Sequence, residues 1–149
     1  MVTTLSRNGA TKLPTNTGAE FDVTFDNGDR KSFYPLQYHV HSPSEHTING
    51  ESFDLELHIV HVDSAGAPAA VIGILFDVSN STLAYNYDLD LLWPRGTASS
   101  ETGELDLASF LRNINFRDFY NYPGSLTTPP CTEGINWFVL KEVQTISKA

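Results

Sequence analysis

Residues 55–62 read Leu55-Glu56-Leu57-His58-Ile59-Val60-His61-Val62, and the alternation in this stretch decides the fold. Successive side chains of a β-strand point to opposite faces, so Glu56, His58 and Val60 fall on one side and Leu57, Ile59 and His61 on the other. The second face is mainly apolar, and His61 on it reads as a packed side chain. The first face sets a histidine beside a carboxylate. Reading outward, the strand extends over Ser52 to Val62, with a run from Phe33 to His41 before it and another from Ala69 to Val78 after it. A polar connection, Ser42 to Gly50, joins the first two, and the three runs predict three central strands.

Residues 20–25 (Glu-Phe-Asp-Val-Thr-Phe) also alternate and lead into Asp26-Asn27-Gly28-Asp29, a turn sequence that predicts a hairpin. Further on, a short helix begun by Asp106 is expected over Leu105 to Leu111. A loop rich in Pro, Gly and Thr is expected over Tyr122 to Pro130, and a last buried strand over Asn136 to Lys141. The chain shows no internal repeat and no low-complexity tract. Short strands separated by turn residues make the predicted class mainly β and antiparallel.

The chain has 149 residues, 40% of them hydrophobic, which suits one domain with one core. A formal net charge of −9 argues against nucleic acid as a partner, because binding it rests on Lys and Arg neutralising phosphates. No window approaches the roughly 18 apolar residues of a spanning helix. Residues 1–10 lack the apolar stretch of a secretory signal. The chain as given reads as soluble, with its compartment open and a secreted or extracytoplasmic parent protein among the choices. Cys131 is the single cysteine, so no internal disulfide forms, and any partner lies outside this sequence.

All five histidines fall between positions 39 and 61. His39 and His41 project from one face of their strand, about 7 Å apart along it. His58 offers a third imidazole from the neighbouring strand. Metal-bound imidazoles usually give their second N–H to a carboxylate or carbonyl, and Glu56 is placed to take it from His58 or from a neighbour. Gln37, two residues before His39 and on its face, is placed to do the same for His39. An isolated His-x-His is more often a pair of ordinary strand histidines. The third histidine, the adjacent carboxylate and the matching glutamine turn the balance toward a metal site. Three neutral imidazoles suit Zn²⁺ and leave a fourth tetrahedral position open, as catalytic sites do.

His39-Val40-His41 followed by Glu45 also matches the first metal motif of cupins. The cupin pattern needs its last histidine after a Pro-x-Gly turn well downstream, whereas His58 follows Asp54-Leu55-Glu56-Leu57 inside a strand.

Taken together, four stretches resemble the α-carbonic anhydrases: Gln37-Tyr38-His39-Val40-His41, Ser44-Glu45-His46-Thr47, Leu55-Glu56-Leu57-His58-Ile59-Val60-His61, and Tyr122-Pro123-Gly124-Ser125-Leu126-Thr127-Thr128-Pro129-Pro130. The Ser42-Pro43-Ser44 variant is similar to the plant, algal, protist and bacterial branches. The match runs from about residue 33 to 147, so the chain resembles the central portion of a longer family member, a single partial domain over 1–149. The resemblance implies a large twisted, mostly antiparallel sheet with few short helices, incomplete at both ends. It assigns His39, His41 and His58 as Zn²⁺ ligands, supported by Gln37 on His39 and Glu56 on His58, with His46 buried near Glu56.

The activity so implied is that of a zinc lyase, reversible hydration of carbon dioxide to bicarbonate and a proton by zinc-bound hydroxide. Zinc brings the pKa of a bound water to about 7, carbonic anhydrase being the standard instance. The implied catalytic pair is Thr127 and Glu45: Thr127 donates to Glu45 and so must accept from the hydroxide, which aims its lone pairs. Val60, Val71, Leu126, Ile135 and Trp137 would form an apolar wall for carbon dioxide, and Thr128 would line the rim. Val60 has support of its own, since it shares the face of His58. Relatives that have lost activity usually lack a ligand histidine, and all three are present here. Fast family members use a histidine at the cavity mouth as a proton shuttle. All five histidines here have other assignments, and aligning Asn8-Gly9-Ala10 with the family's Asn-Gly-His puts Ala10 at that position.

Overall fold

Residues 69–76, Ala-Ala-Val-Ile-Gly-Ile-Leu-Phe, are apolar throughout, and a strand of that composition has to be covered on both faces. In the computed structural model, which describes residues 2–4, 11–12, 20–79, 104–106 and 111–147, they form the middle of the central sheet. The described strands are β1 (Val2–Thr4), β2 (Thr11–Lys12), β3 (Phe21–Thr24), β4 (Arg30–His41), β5 (Thr47–Ile48) and β6 (Glu51–Ser52). They continue with β7 (Leu55–Val62), β8 (Pro68–Ser79), β9 (Glu104–Asp106), β10 (Phe119–Ser125), β11 (Glu133–Leu140) and β12 (Gln144–Ser147).

The main sheet runs β10-β11-β8-β7-β4-β2, with β12 also pairing β8 and β3 also pairing β4. All its pairings are antiparallel except β11 and β12 against β8, so the sheet is mixed but mostly antiparallel. The three strands expected at the centre, β4, β7 and β8, lie side by side there. The hairpin at 20–29 forms with Phe21 opposite Phe33. Its turn uses the conformational freedom of Gly28, at φ 86°, while Asn27 Oδ1 accepts from the Asp29 amide (3.0 Å).

Three local expectations are corrected. The strand expected over Ser52 to Val62 begins at Leu55, because Glu51–Ser52 instead pairs with Thr47–Ile48 around Asn49-Gly50. Both turn residues have positive φ (54° and 85°), the conformation that Asn-Gly adopts most readily in a two-residue hairpin. The loop expected over Tyr122 to Pro130 starts only at Leu126, since Phe119–Ser125 pairs with β11. That strand is an edge of the described sheet, where Pro123 removes no ladder donor that a second neighbour needs. The helix expected over Leu105 to Leu111 does not include Leu105 and Asp106, which pair with β1; Leu111 is helical, and residues 107–110 lie outside the described residues.

The sheet's two faces carry separate apolar clusters. Leu57, Ile59, Ile72, Ile74, Phe138 and Leu140 share one face with Phe33 and Tyr38. Val60, Val71, Leu75, Ile135, Trp137 and Val139 pack on the other. A regular strand would put Phe33 and His39 on the same face. A β-bulge between Pro35 and Gln37 shifts the register against β7, so Phe33 keeps to the first cluster while Gln37, His39 and His41 turn to the second.

Candidate metal centre

The register between β4 and β7 sets His39 directly opposite His58, and His41 opposite Glu56. The three rings converge, with centroids 4.8 Å apart for His39 and His41, 5.2 Å for His39 and His58, and 4.6 Å for His41 and His58. One nitrogen from each lies within 4.8 Å of the others.

The outer nitrogens are engaged. His39 Nδ1–H donates to Gln37 Oε1 (2.9 Å), and His58 Nε2–H donates to Glu56 Oε1 (2.8 Å). His41 Nδ1 stands 3.4 Å from Glu45 Oε1. That leaves His39 Nε2, His41 Nε2 and His58 Nδ1 facing inward. His41 Nε2 is buried and has no hydrogen-bond partner, which in a protein interior calls for something to fill the role. Nitrogens bound to one Zn²⁺ at 2.0–2.1 Å in a tetrahedral site sit about 3.3 Å from one another, within easy reach of this cluster. The donor set therefore fits zinc.

The electrostatics agree. Burial, with the neighbouring His58 and His41 adding to it, lowers the His39 pKa to about 4. Burial and His58 lower His41 in the same direction. Both rings are thus neutral near pH 7, the form that can ligate a metal. Burial acts to raise the pKa of Glu56, but hydrogen bonds from His46 and His58 outweigh it and hold the carboxyl well below the usual range.

Glu56 is fully buried and is the hub of the site. Its Oε1 accepts from His58 and from His46 Nδ1, and its Oε2 accepts from the amides of Glu45 (2.9 Å) and His46 (2.8 Å). The loop carrying Glu45 and His46 is thereby tied to β7. Ser44 reinforces the tie: its hydroxyl donates to His46 O (2.7 Å) and accepts from the Phe53 amide (2.9 Å). His46 is half-buried rather than fully buried, and its Nε2 accepts from the Tyr122 hydroxyl (2.6 Å).

Trp137 closes the other side, its ring 4.8 Å from His58 and 4.9 Å from His46, stacked parallel to Tyr122 at 6.2 Å. Its Nε1–H donates to Ser125 O (3.0 Å). Val60, Val71 and Ile135 are buried beside it, with Leu126 partly buried against them. His61 is on the opposite face, donating from Nδ1 to Ile59 O (2.9 Å) with its ring against Phe21. A cavity of about 550 Å³ on that face, against Phe21, Ile59 and Phe138, does not include the converging histidines.

Thr127 and Thr128 are exposed, and among the described residues no hydrogen bond joins Thr127 to Glu45. The Glu45 carboxylate turns instead toward His41 and His58, its Oε2 lying 4.0 Å from His58 Nδ1. The Pro129–Pro130 peptide is cis, and so is Ser42–Pro43. Ala10 lies outside the described residues. Tyr122 and Gly73, both in contact with this cluster, escaped the sequence reading. Gly73 carried a usable signal, since a glycine inside an otherwise apolar strand often marks a close approach.

Residues 2–149 match the family described as eukaryotic-type carbonic anhydrase. Alpha carbonic anhydrase 4 of Arabidopsis thaliana is 44% identical over 120 residues, covering 79% of this chain and 43% of that protein. Alpha carbonic anhydrase 6 of the same plant is 44% identical over 110 residues, covering 72% of this chain and 40% of that protein. The solved α-carbonic anhydrase of Photobacterium profundum superposes with a TM-score of 0.73 at 35% identity, over 99% of this chain and 65% of that one. The chain thus spans less than half the length of these two curated relatives. Sheet, histidine placement and sequence agree, and the chain belongs to the eukaryotic-type carbonic anhydrase family.

Proposed function

We propose that this chain carries the metal centre and apolar wall for the reversible hydration of carbon dioxide to bicarbonate and a proton, with His39, His41 and His58 holding Zn²⁺. The observation that carries this reading is the convergence of three imidazoles with inward nitrogens, one of them buried and unpaired. Zinc held there supplies Lewis acidity, making a water acidic enough to give hydroxide near neutral pH.

The protein's own groups do the rest. Gln37 and Glu56 fix the tautomer and tilt of His39 and His58, so that a lone pair points inward from each ring. Carbon dioxide carries no charge and little polarity, so a dry wall is the surface that holds it. Val60, Val71, Ile135 and Trp137, all at most 3% exposed, form one with Leu126 on the histidine face. Thr127 acts on the nucleophile as an orienting acceptor when its own O–H donates a hydrogen bond to the Glu45 carboxylate. Closing that bond needs the Glu45 carboxylate to turn from His41 toward Thr127. Thr128 contacts bicarbonate at the rim.

Carbon dioxide hydration by the purified chain, followed by proton release, tests this reading. Activity should disappear with a zinc chelator and return with zinc. A fully zinc-loaded chain with no hydration above the uncatalysed rate would overturn it.

A further inference from the structure

Gly73 lies on β8 directly opposite His58 on one side and Val139 on the other. Unlike Gly28 or Gly50, it does not have a positive φ, so its backbone conformation is open to any residue. Glycine weakens a strand interior, and the residues flanking this one, Val71, Ile72, Ile74, Leu75 and Phe76, are all large or β-branched apolar residues. Something other than the backbone must account for it.

A Cβ built at position 73 would sit 2.9 Å from Glu56 Oε1, inside van der Waals contact. Its next neighbours, Val139 Cγ2 at 3.6 Å and Trp137 Cζ3 at 3.9 Å, are at ordinary contact distance. A glutamate side chain can normally swing out of the way of a methyl group. This one is fully buried, and its two oxygens accept four hydrogen bonds, from His58, His46 and the amides of Glu45 and His46. The oxygen that meets the Cβ is the one bonded to both histidine rings.

We propose that Gly73 is a positioning residue for the metal centre: its missing side chain is the space in which the Glu56 carboxylate sits beneath His58. A methyl group there pushes Oε1 away, and His58 loses the acceptor that holds its Nε2 proton and its ring angle. This rests on the zinc site proposed above, and its consequence is weaker metal binding.

The test is a double-mutant cycle read as zinc dissociation constants by chelator competition, on the whole chain, with folding checked by circular dichroism. Gly73→Ala should weaken zinc by roughly ten- to a hundred-fold, the usual effect of disturbing a ligand's hydrogen-bond partner. Glu56→Asp withdraws the carboxylate from that space and weakens zinc by itself. Adding Gly73→Ala to it should then cost less than about twofold, because the clash is already gone. Wild-type affinity in Gly73→Ala, or losses that multiply in the double variant, would overturn the inference. If Gly73→Ala alone does not fold, recovery in the Glu56→Asp background supports the clash, and failure to recover overturns it. Absence of zinc binding by the wild-type chain would overturn the zinc reading itself, a separate result.

Discussion

Glu56 Oε1 lies 2.8 Å from His58 Nε2, between two residues on the same face of one strand. With the carboxyl ionised it can only accept, so His58 keeps its proton on Nε2 and presents the Nδ1 lone pair to the site. The same oxygen accepts from His46 Nδ1, which leaves His46 Nε2 as an acceptor for the Tyr122 hydroxyl. One buried carboxylate therefore fixes the tautomer of two histidines. It also anchors the loop on which Glu45 stands.

Replacing Glu45 with Gln, or Thr127 with Ala, should cut carbon dioxide hydration by about 10²-fold, the scale of losing an orienting group near the reacting atoms. Zinc content should stay at the wild-type value in both. Parallel measurement of rate and bound metal checks this. A Glu45→Gln chain that purifies without zinc would make Glu45 a direct ligand and revive the cupin-like arrangement.

Acid should destabilise the metal-free chain through His39 and His41. The folded pKa of His39 is about 4, below the ordinary 6.5 it regains on unfolding, and His41 is shifted the same way. Above pH 6.5 both states hold the ring neutral. As pH falls toward 4 the unfolded chain takes up a proton that the folded chain refuses, so stability drops across that window and levels off below it. Urea midpoints between pH 7 and 4 should show the fall, and His39→Gln should make it shallower. An unchanged slope in His39→Gln would mean that other groups carry it.

Proton removal should limit turnover at low buffer concentration. His39, His41 and His58 face the centre, His46 is bonded at both nitrogens, and His61 is buried on the far face, so no imidazole is left to relay a proton. A small imidazole buffer, titrating near neutral pH, should raise kcat severalfold and leave kcat/KM nearly unchanged. A kcat indifferent to buffer would show that another group does this work.

The central strands were legible because alternation and apolar runs survive in the sequence. The histidine face of β7 followed from period-two counting alone, as did the packing of His61. What escaped depends on partners distant in the chain. The bulge at Pro35 to Gln37 shows only against the register of β7, and Tyr122–Pro123–Gly124 looks like loop until β11 pairs with it. The hairpin at Asn49-Gly50 has a visible turn pair, but its two-residue strands are too short for alternation to show. Tyr122 and Gly73 could not be connected to Glu56 from spacing, since 66 and 17 positions separate them from it in the sequence. The Thr127–Glu45 bond came from family likeness, and the structure has Glu45 turned toward the histidines instead.

Zinc stoichiometry in two single-histidine variants tests the central claim most directly. His58 and His61 are three residues apart on the same strand but face opposite sides of the sheet. The purified wild-type chain should bind one zinc. His58→Ala should bind essentially none, and His61→Ala, if folded by circular dichroism, should keep nearly all of it. Equal loss of zinc from both variants, or zinc retained by His58→Ala, would contradict the assignment of the metal to the face shared by His39, His41 and His58.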